Sequence, residues 1–197
     1  VGTYGDGVYL LDAQGRVIQH LSKQQGGLTT NHIFSIKQDR DGDLWIGGLD
    51  GSLLMMKKGG KGKQLYDIIW IQSIEVVDRD HVAVATVNGF CLVNKRTGKI
   101  RRYATAQEYH KQNTSAYIDA MLFNDDNTVW LGTEGGGLNL YDMQTRQLKT
   151  FTTSEGLPSN DVYSLQRDPK GRLWVSTGKG LALIDRSHVA NLNYVGD

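Results

Sequence analysis

Five histidines, one cysteine and a pair of acidic turns are the residues of this sequence whose types could support catalysis or metal binding. The histidines (His20, His32, His81, His110 and His188) show no ligand spacing of the HExxH kind, and none pairs with the cysteine at short range. Cys91 lies in the apolar run GFCLV with no adjacent base to generate a thiolate, and no G-x-S-x-G turn presents a serine nucleophile. A single cysteine also excludes an internal disulfide and a multi-cysteine zinc site. KKGGKGKQ from Lys57 resembles a phosphate loop in composition only, because it lacks the G-x-x-x-x-G-K-[ST] order and joins two strands. DRDGD from Asp39 offers oxygens at alternate positions, as a calcium loop does. Its glycine stands fourth where that loop needs it sixth, and the aligned DPKGR lacks the ligands. No catalytic residue, metal or cofactor is expected.

Recognition chemistry is better supplied. Tyr109, His110 and Tyr117 fall on the longest loop, and His32, Asp161, Glu134, Tyr4 and Asp50 on shorter ones. Aromatic faces can cover the apolar side of a pyranose while carboxylates and imidazoles satisfy its hydroxyls, so these eight are the expected ligand-binding residues. The net charge of +1 provides no field for nucleic acid, and none is expected to be contacted. No stretch approaches the ~20 apolar residues of a membrane span.

The elements that must hold these loops are repeats. Trp45, Ala83, Trp130 and Trp174 align at spacings of 38, 47 and 44, and the opening VGTYGDGVYLLD matches LGTEGGGLNLYD at Leu131 position for position. Each unit reads as an alternating strand (IFSI, IQSI, IDAM, VYSL), a charged turn, a strand carrying the reference residue, a glycine-bearing link, a third strand and a fourth. Four short strands in roughly 40–45 residues are the signature of a propeller blade, and no segment sustains the periodicity of a helical repeat. The expected fold is therefore all-β: an incomplete arc of about four and a half to five antiparallel blades from a seven-bladed ring. The expected limits are 1–28 for the end of a blade, 29–66, then 67–105 for a degenerate blade, 114–152 and 153–197. Trp45, Trp130 and Trp174 are expected to pack between blades, as are Leu28 and Leu157, with Asn31 and Asn160 bonding their own turn backbone. Trp70 is out of register with the other tryptophans and is the better candidate among them for a role other than packing, although burial is expected for it too. Since the chain opens inside a strand, a longer parent is expected.

EGLPSNDVYSLQRDPKGRLWVSTGKGLALID from Glu155 resembles the two-component regulator propeller repeat, and GGLTTNHIFSIKQDRDGDLWIGGLDGSLLMM from Gly26 resembles it nearly as well. The units at Asn113 and at the start match less closely, and the one at Ile69 lacks both the tryptophan and the Gly-Leu-x-x-Asn phrase. The resemblance implies the extracytoplasmic, periplasmic sensor region of a hybrid two-component protein of the inner membrane. A kinase, a receiver and a DNA-binding module would follow a single span. It further implies an oligosaccharide ligand, no catalysis in this segment, membrane contact only through the parent chain, and a second copy or the remaining blades as partner. Two rival readings are a lyase-type propeller enzyme, which needs a His or carboxylate cluster at the axis, and a protein-interaction scaffold, which needs a flat apolar loop face.

Overall fold

The computed structural model describes residues 1–59, 62–65, 68, 70–110, 115–184 and 192–195; for 62–65, 110 and 192–195 it describes the backbone. The expected blade limits at 66, 67, 114 and 197 lie outside the described residues, as does His188. Runs of Val, Ile, Leu and aromatic residues between Gly, Asp and Asn turns make short strands that pair in chain order, since tight turns permit only antiparallel neighbours. The first sheet pairs β1 (Val8–Leu11) with β2 (Val17–Leu21). The second runs β3 (Ile33–Gln38), β4 (Leu44–Gly48), β5 (Leu53–Met56) and β6 (Gly62–Leu65). The third runs β7 (Ile71–Val76), β8 (His81–Thr86), β9 (Gly89–Asn94) and β10 (Ile100–Tyr103). The fourth holds β11 (Ile118–Phe123), β12 (Thr128–Thr133), β13 (Gly137–Asp142) and β14 (Leu148–Phe151). The fifth holds β15 (Val162–Arg167), β16 (Leu173–Thr177), β17 (Gly180–Ile184) and β18 (Leu192–Val195). These are blades of an incomplete β-propeller. No sheet closes on itself among the described residues.

The chain divides into two compact units, Val1–Val87 with Cys91–Arg101, and Asn88–Phe90 with Arg102–Asp197. In the first, Trp45 is fully buried in a cluster with Leu53, Met55, Ile71, Ile74 and Val84. Gly47 follows it because the next blade arrives there: a Cβ would stand 2.6 Å from Ile71 Cγ2. The Ser35 hydroxyl accepts the Ile74 N–H at 3.1 Å, and Lys37 pairs with Glu75 at 3.0 Å, so apolar wedge and polar stitches act together. In the second unit Trp130 packs with Leu138, Leu157, Val162 and Val175, and a Cβ on Gly132 would lie 2.6 Å from Val162 Cγ1.

Trp174 meets no following blade among the described residues. It occupies the same register, between Gln166 and Leu183, as Trp45 does between Lys37 and Met55. Yet it is only half-buried, because no first strand of a following blade lies over it among the described residues. The Arg172 guanidinium covers one side of its ring instead, 5.9 Å from the centroid.

The long loop from Ala106 does not remain a loop. It opens as a short helix, α1 (Ala106–His110), and a 3-10 turn at Thr153–Glu155 takes the equivalent place in the next blade. Both start on Thr-x-x-Glu: the Thr105 N–H donates to Glu108 Oε2, and the Thr152 N–H to Glu155 Oε2, each at 2.7 Å.

Candidate functional site

The acidic turns at one end of the blades are self-contained. Asp39 Oδ1 accepts the N–H groups of Asp41 and Asp43, while Oδ2 accepts the Trp45 indole N–H at 3.0 Å and the Lys95 ammonium at 2.8 Å. Asp168 repeats the arrangement with the N–H groups of Lys170 and Arg172, the Arg172 guanidinium at 2.7 Å and the Trp174 indole at 3.3 Å. Each aspartate therefore shapes a turn and orients the indole that follows. Burial alone would raise the Asp168 carboxyl; donation from Arg172 and Trp174 outweighs it and holds the group at about 2. A neighbouring cleft of ≈ 750 Å³ contains Lys57, Arg96 and Asp80, but its cations face carboxylates: Lys57 meets Asp43, and Arg96 meets Asp80. No cluster of three or more His, Cys, Asp or Glu side chains placed to hold a metal exists among the described residues.

At the opposite end lie the links from β4 to β5 and their equivalents, beside the entries to the first strands of the blades. In the first unit Tyr4 is 73% exposed, and its ring meets His32 edge-on at 4.6 Å and Phe34 at 6.0 Å. Asp50 turns inward on its own link and accepts the Ser52 N–H at 3.0 Å. Asn31 braces the loop that precedes this strand: its Oδ1 accepts the Lys23 N–H at 2.8 Å and its amide donates to Gln24. Leu28 packs partly buried against Val8 and Ile33.

In the second unit Asn160 does the same for its loop, accepting the Thr153 N–H at 2.9 Å, and Leu157 is buried. The repeated asparagines thus bond backbone seven and eight residues upstream, farther than the adjacent turn expected from the sequence. Tyr117, Asp119, Glu134 and Asp161 form an acidic group. Asp161 accepts the Gly135 N–H at 2.9 Å. Burial first, then the charges of Glu134 and Asp161, push Asp119 up to about 6. Burial and the charges of Asp119 and Glu134 also raise Tyr117.

Tyr109 is corrected from a ligand-contacting residue to a core residue. The helix that replaces the expected loop turns its ring inward until nothing is exposed, and its hydroxyl has no hydrogen-bond partner. Burial raises that hydroxyl beyond the usual phenol range. The His110 side chain lies outside the described residues. Trp70 is corrected in the other direction: it is 52% exposed, with a left-handed backbone of φ 47 immediately before β7.

These features define a class: a β-propeller with stabilised turns at one end and variable polar and aromatic groups at the other. Residues 27–50 and 156–179 match the family described as Two component regulator propeller. The chain is 28% identical over 127 residues, 60% of its length, to Histidine kinase P4 of Formosa agariphila, and spans 9% of that protein. Its structure superposes on the extracellular domain assigned to a hybrid two component system of B. thetaiotaomicron with a TM-score of 0.83. That overlay, at 21% identity, covers 99% of this chain and 26% of the other. For a second such domain from that organism the TM-score is 0.67 at 25% identity, covering 83% of this chain and 21% of the other. Two stretches of the chain thus match the two component regulator propeller repeat, and its fold is akin to that of extracellular domains of hybrid two-component systems.

Proposed function

We propose that this segment is the ligand-sensing, periplasmic part of a transmembrane hybrid two-component regulator. It recognises an oligosaccharide, performs no chemistry, and acts through a cytoplasmic histidine kinase and transcription regulator. The observation that carries this reading is the pair of repeat matches at 27–50 and 156–179. The loop-end groups support the ligand class, since rings and carboxylates side by side suit a polyhydroxylated ring with an apolar face. The partner is a second copy or further blades of the parent chain, and the membrane is met only through that parent. A ligand shifts such a receptor only by the difference in its affinity for two states.

A thermal-shift screen of the chain against neutral oligosaccharides tests the ligand class. A ligand at 100 times its Kd adds about 2.7 kcal/mol and should raise Tm by roughly 5–10 °C. No shift with any glycan, alongside a shift with a peptide, would replace this reading with that of a protein-interaction scaffold.

A further inference from the structure

The first strands of the four four-stranded blades, β3, β7, β11 and β15, share an irregularity that strict alternation hides. In β3 the pairing steps from Ile33↔Gly48 to Ser35↔Gly47, leaving Phe34 outside the ladder. The same step omits Gln72 in β7, Asp119 in β11 and Tyr163 in β15. A β-bulge releases one residue from pairing and re-aims its side chain. Each bulged residue follows a buried anchor (Ile33, Ile71, Ile118 or Val162) and precedes a small one (Ser35, Ser73, Ala120 or Ser164). Within these three residues, the bulged position is the one that changes its chemistry from blade to blade.

The residue before each anchor is equally varied: His32, Trp70, Tyr117 and Asp161. In three of the four the backbone is held alike, whereas Trp70 has a left-handed backbone. The His32 carbonyl accepts the Leu49 N–H at 3.0 Å, that of Tyr117 the Glu134 N–H at 3.1 Å, and that of Asp161 the Gly178 N–H at 2.9 Å. Each of these three blades thus offers two side chains on a hydrogen-bonded support, one on either side of a buried anchor.

A second, independent observation points the same way. The exposed aromatic side chains among the described residues are Tyr4, Phe34, Trp70 and Tyr163. Three of them stand at these positions, and Tyr4 lies against a further ring there, His32, as well as Phe34. Leaving large rings in water has no structural return, whereas rings on rigid backbone suit ligand recognition.

We propose that, within each compact unit, the two residues flanking the anchor of the first strand of each blade contact carbohydrate and set its specificity. This deepens the oligosaccharide-sensing reading and rests on it. Phe34, Trp70 and Tyr163 supply stacking faces for pyranose rings; Gln72, Asp119 and Asp161 accept from or donate to hydroxyls. In the second unit the crowding of Asp119 and Asp161 with Glu134 selects neutral sugars against uronic acids, because a further carboxylate would be repelled.

The test is calorimetric titration of the full chain, and of its Phe34→Ala, Trp70→Ala, Tyr163→Ala and Asp119→Asn variants. The probes are neutral gluco-, manno-, galacto- and xylo-oligosaccharides and oligogalacturonate, with Tm recorded for each protein. The result expected is neutral-glycan binding that at least one ring variant weakens about tenfold at unchanged Tm. Ile18→Thr, on the exposed face of β2, should leave that binding intact. Asp119→Asn should relax the exclusion of oligogalacturonate. Wild-type binding matched by all four variants would overturn this inference and leave the sensing function standing. Losses that merely follow a fall in Tm would overturn it as well. Wild-type chain that binds no glycan would take down both.

Discussion

Trp45 and Trp174 occupy the same place in two blades and have different fates. Both follow Asp-x-x-Gly-x-Leu, both donate an indole N–H to that aspartate, and both sit mid-strand in the same register. Trp45 is fully buried among Ile71, Ile74 and Val84, whereas Trp174 is half-buried beneath an arginine. The turn chemistry is therefore local and the same in both, while the burial of Trp45 is conferred by the next blade. A repeat of this kind carries two separable energies, one within the blade and one between blades.

The largest expected contrast is in truncation of the rings. Trp45→Ala should cost about 3–5 kcal/mol through loss of packing and a cavity, against about 1 kcal/mol for Trp174→Ala, in urea unfolding. Equal costs would break the distinction between the two sites. The aspartates come next. Asp39→Asn should cost about 2–3 kcal/mol, because it weakens a buried contact to Lys95, whose side chain is 8% exposed. Asp168→Asn should cost less, since its Arg172 partner is 34% exposed.

Smaller again is the effect at the close-approach position. Gly47→Ala should cost about 1–3 kcal/mol by forcing Ile71 away, whereas Ser176→Ala, at the equivalent place beside Trp174, should stay within about 0.5 kcal/mol.

The finest test is pH. Asp168 at about 2 lies below its ordinary 3.8, so its stabilisation is present above 3.8 and is lost as pH falls towards 2; Asp168→Asn should flatten that limb. Asp119 at about 6 lies above 3.8, so its contribution is complete below 3.8 and disappears as pH rises through 6. Asp119→Asn should remove that loss, leaving stability between pH 4 and 7 less dependent on pH than in the wild type. Stability curves of the two variants that parallel the wild type would sink both assignments.

The propeller was legible because turn and strand signals recur: charged turn, tryptophan or alanine, glycine, apolar run. Close approach after Trp45 was legible too, since a glycine in mid-strand has little other purpose. The ligand end was less so. Thr105-x-x-Glu108 is a helix start that the loop reading passed over, and with it went the inward turn of Tyr109. The bulges at Phe34, Gln72, Asp119 and Tyr163 carry no residue signature, because any side chain can occupy the extra position, so IFSI and VYSL read as plain alternation. Trp70 looked like a core residue, since a tryptophan in an apolar run usually is one.

Residue order alone determined what each short segment does by itself: which turns close, which aspartate holds which indole, and where strands begin. Those depend on contacts a few residues apart. Tertiary structure decided which rings are hidden and which are left exposed, because burial depends on a neighbouring strand about thirty residues away in the chain.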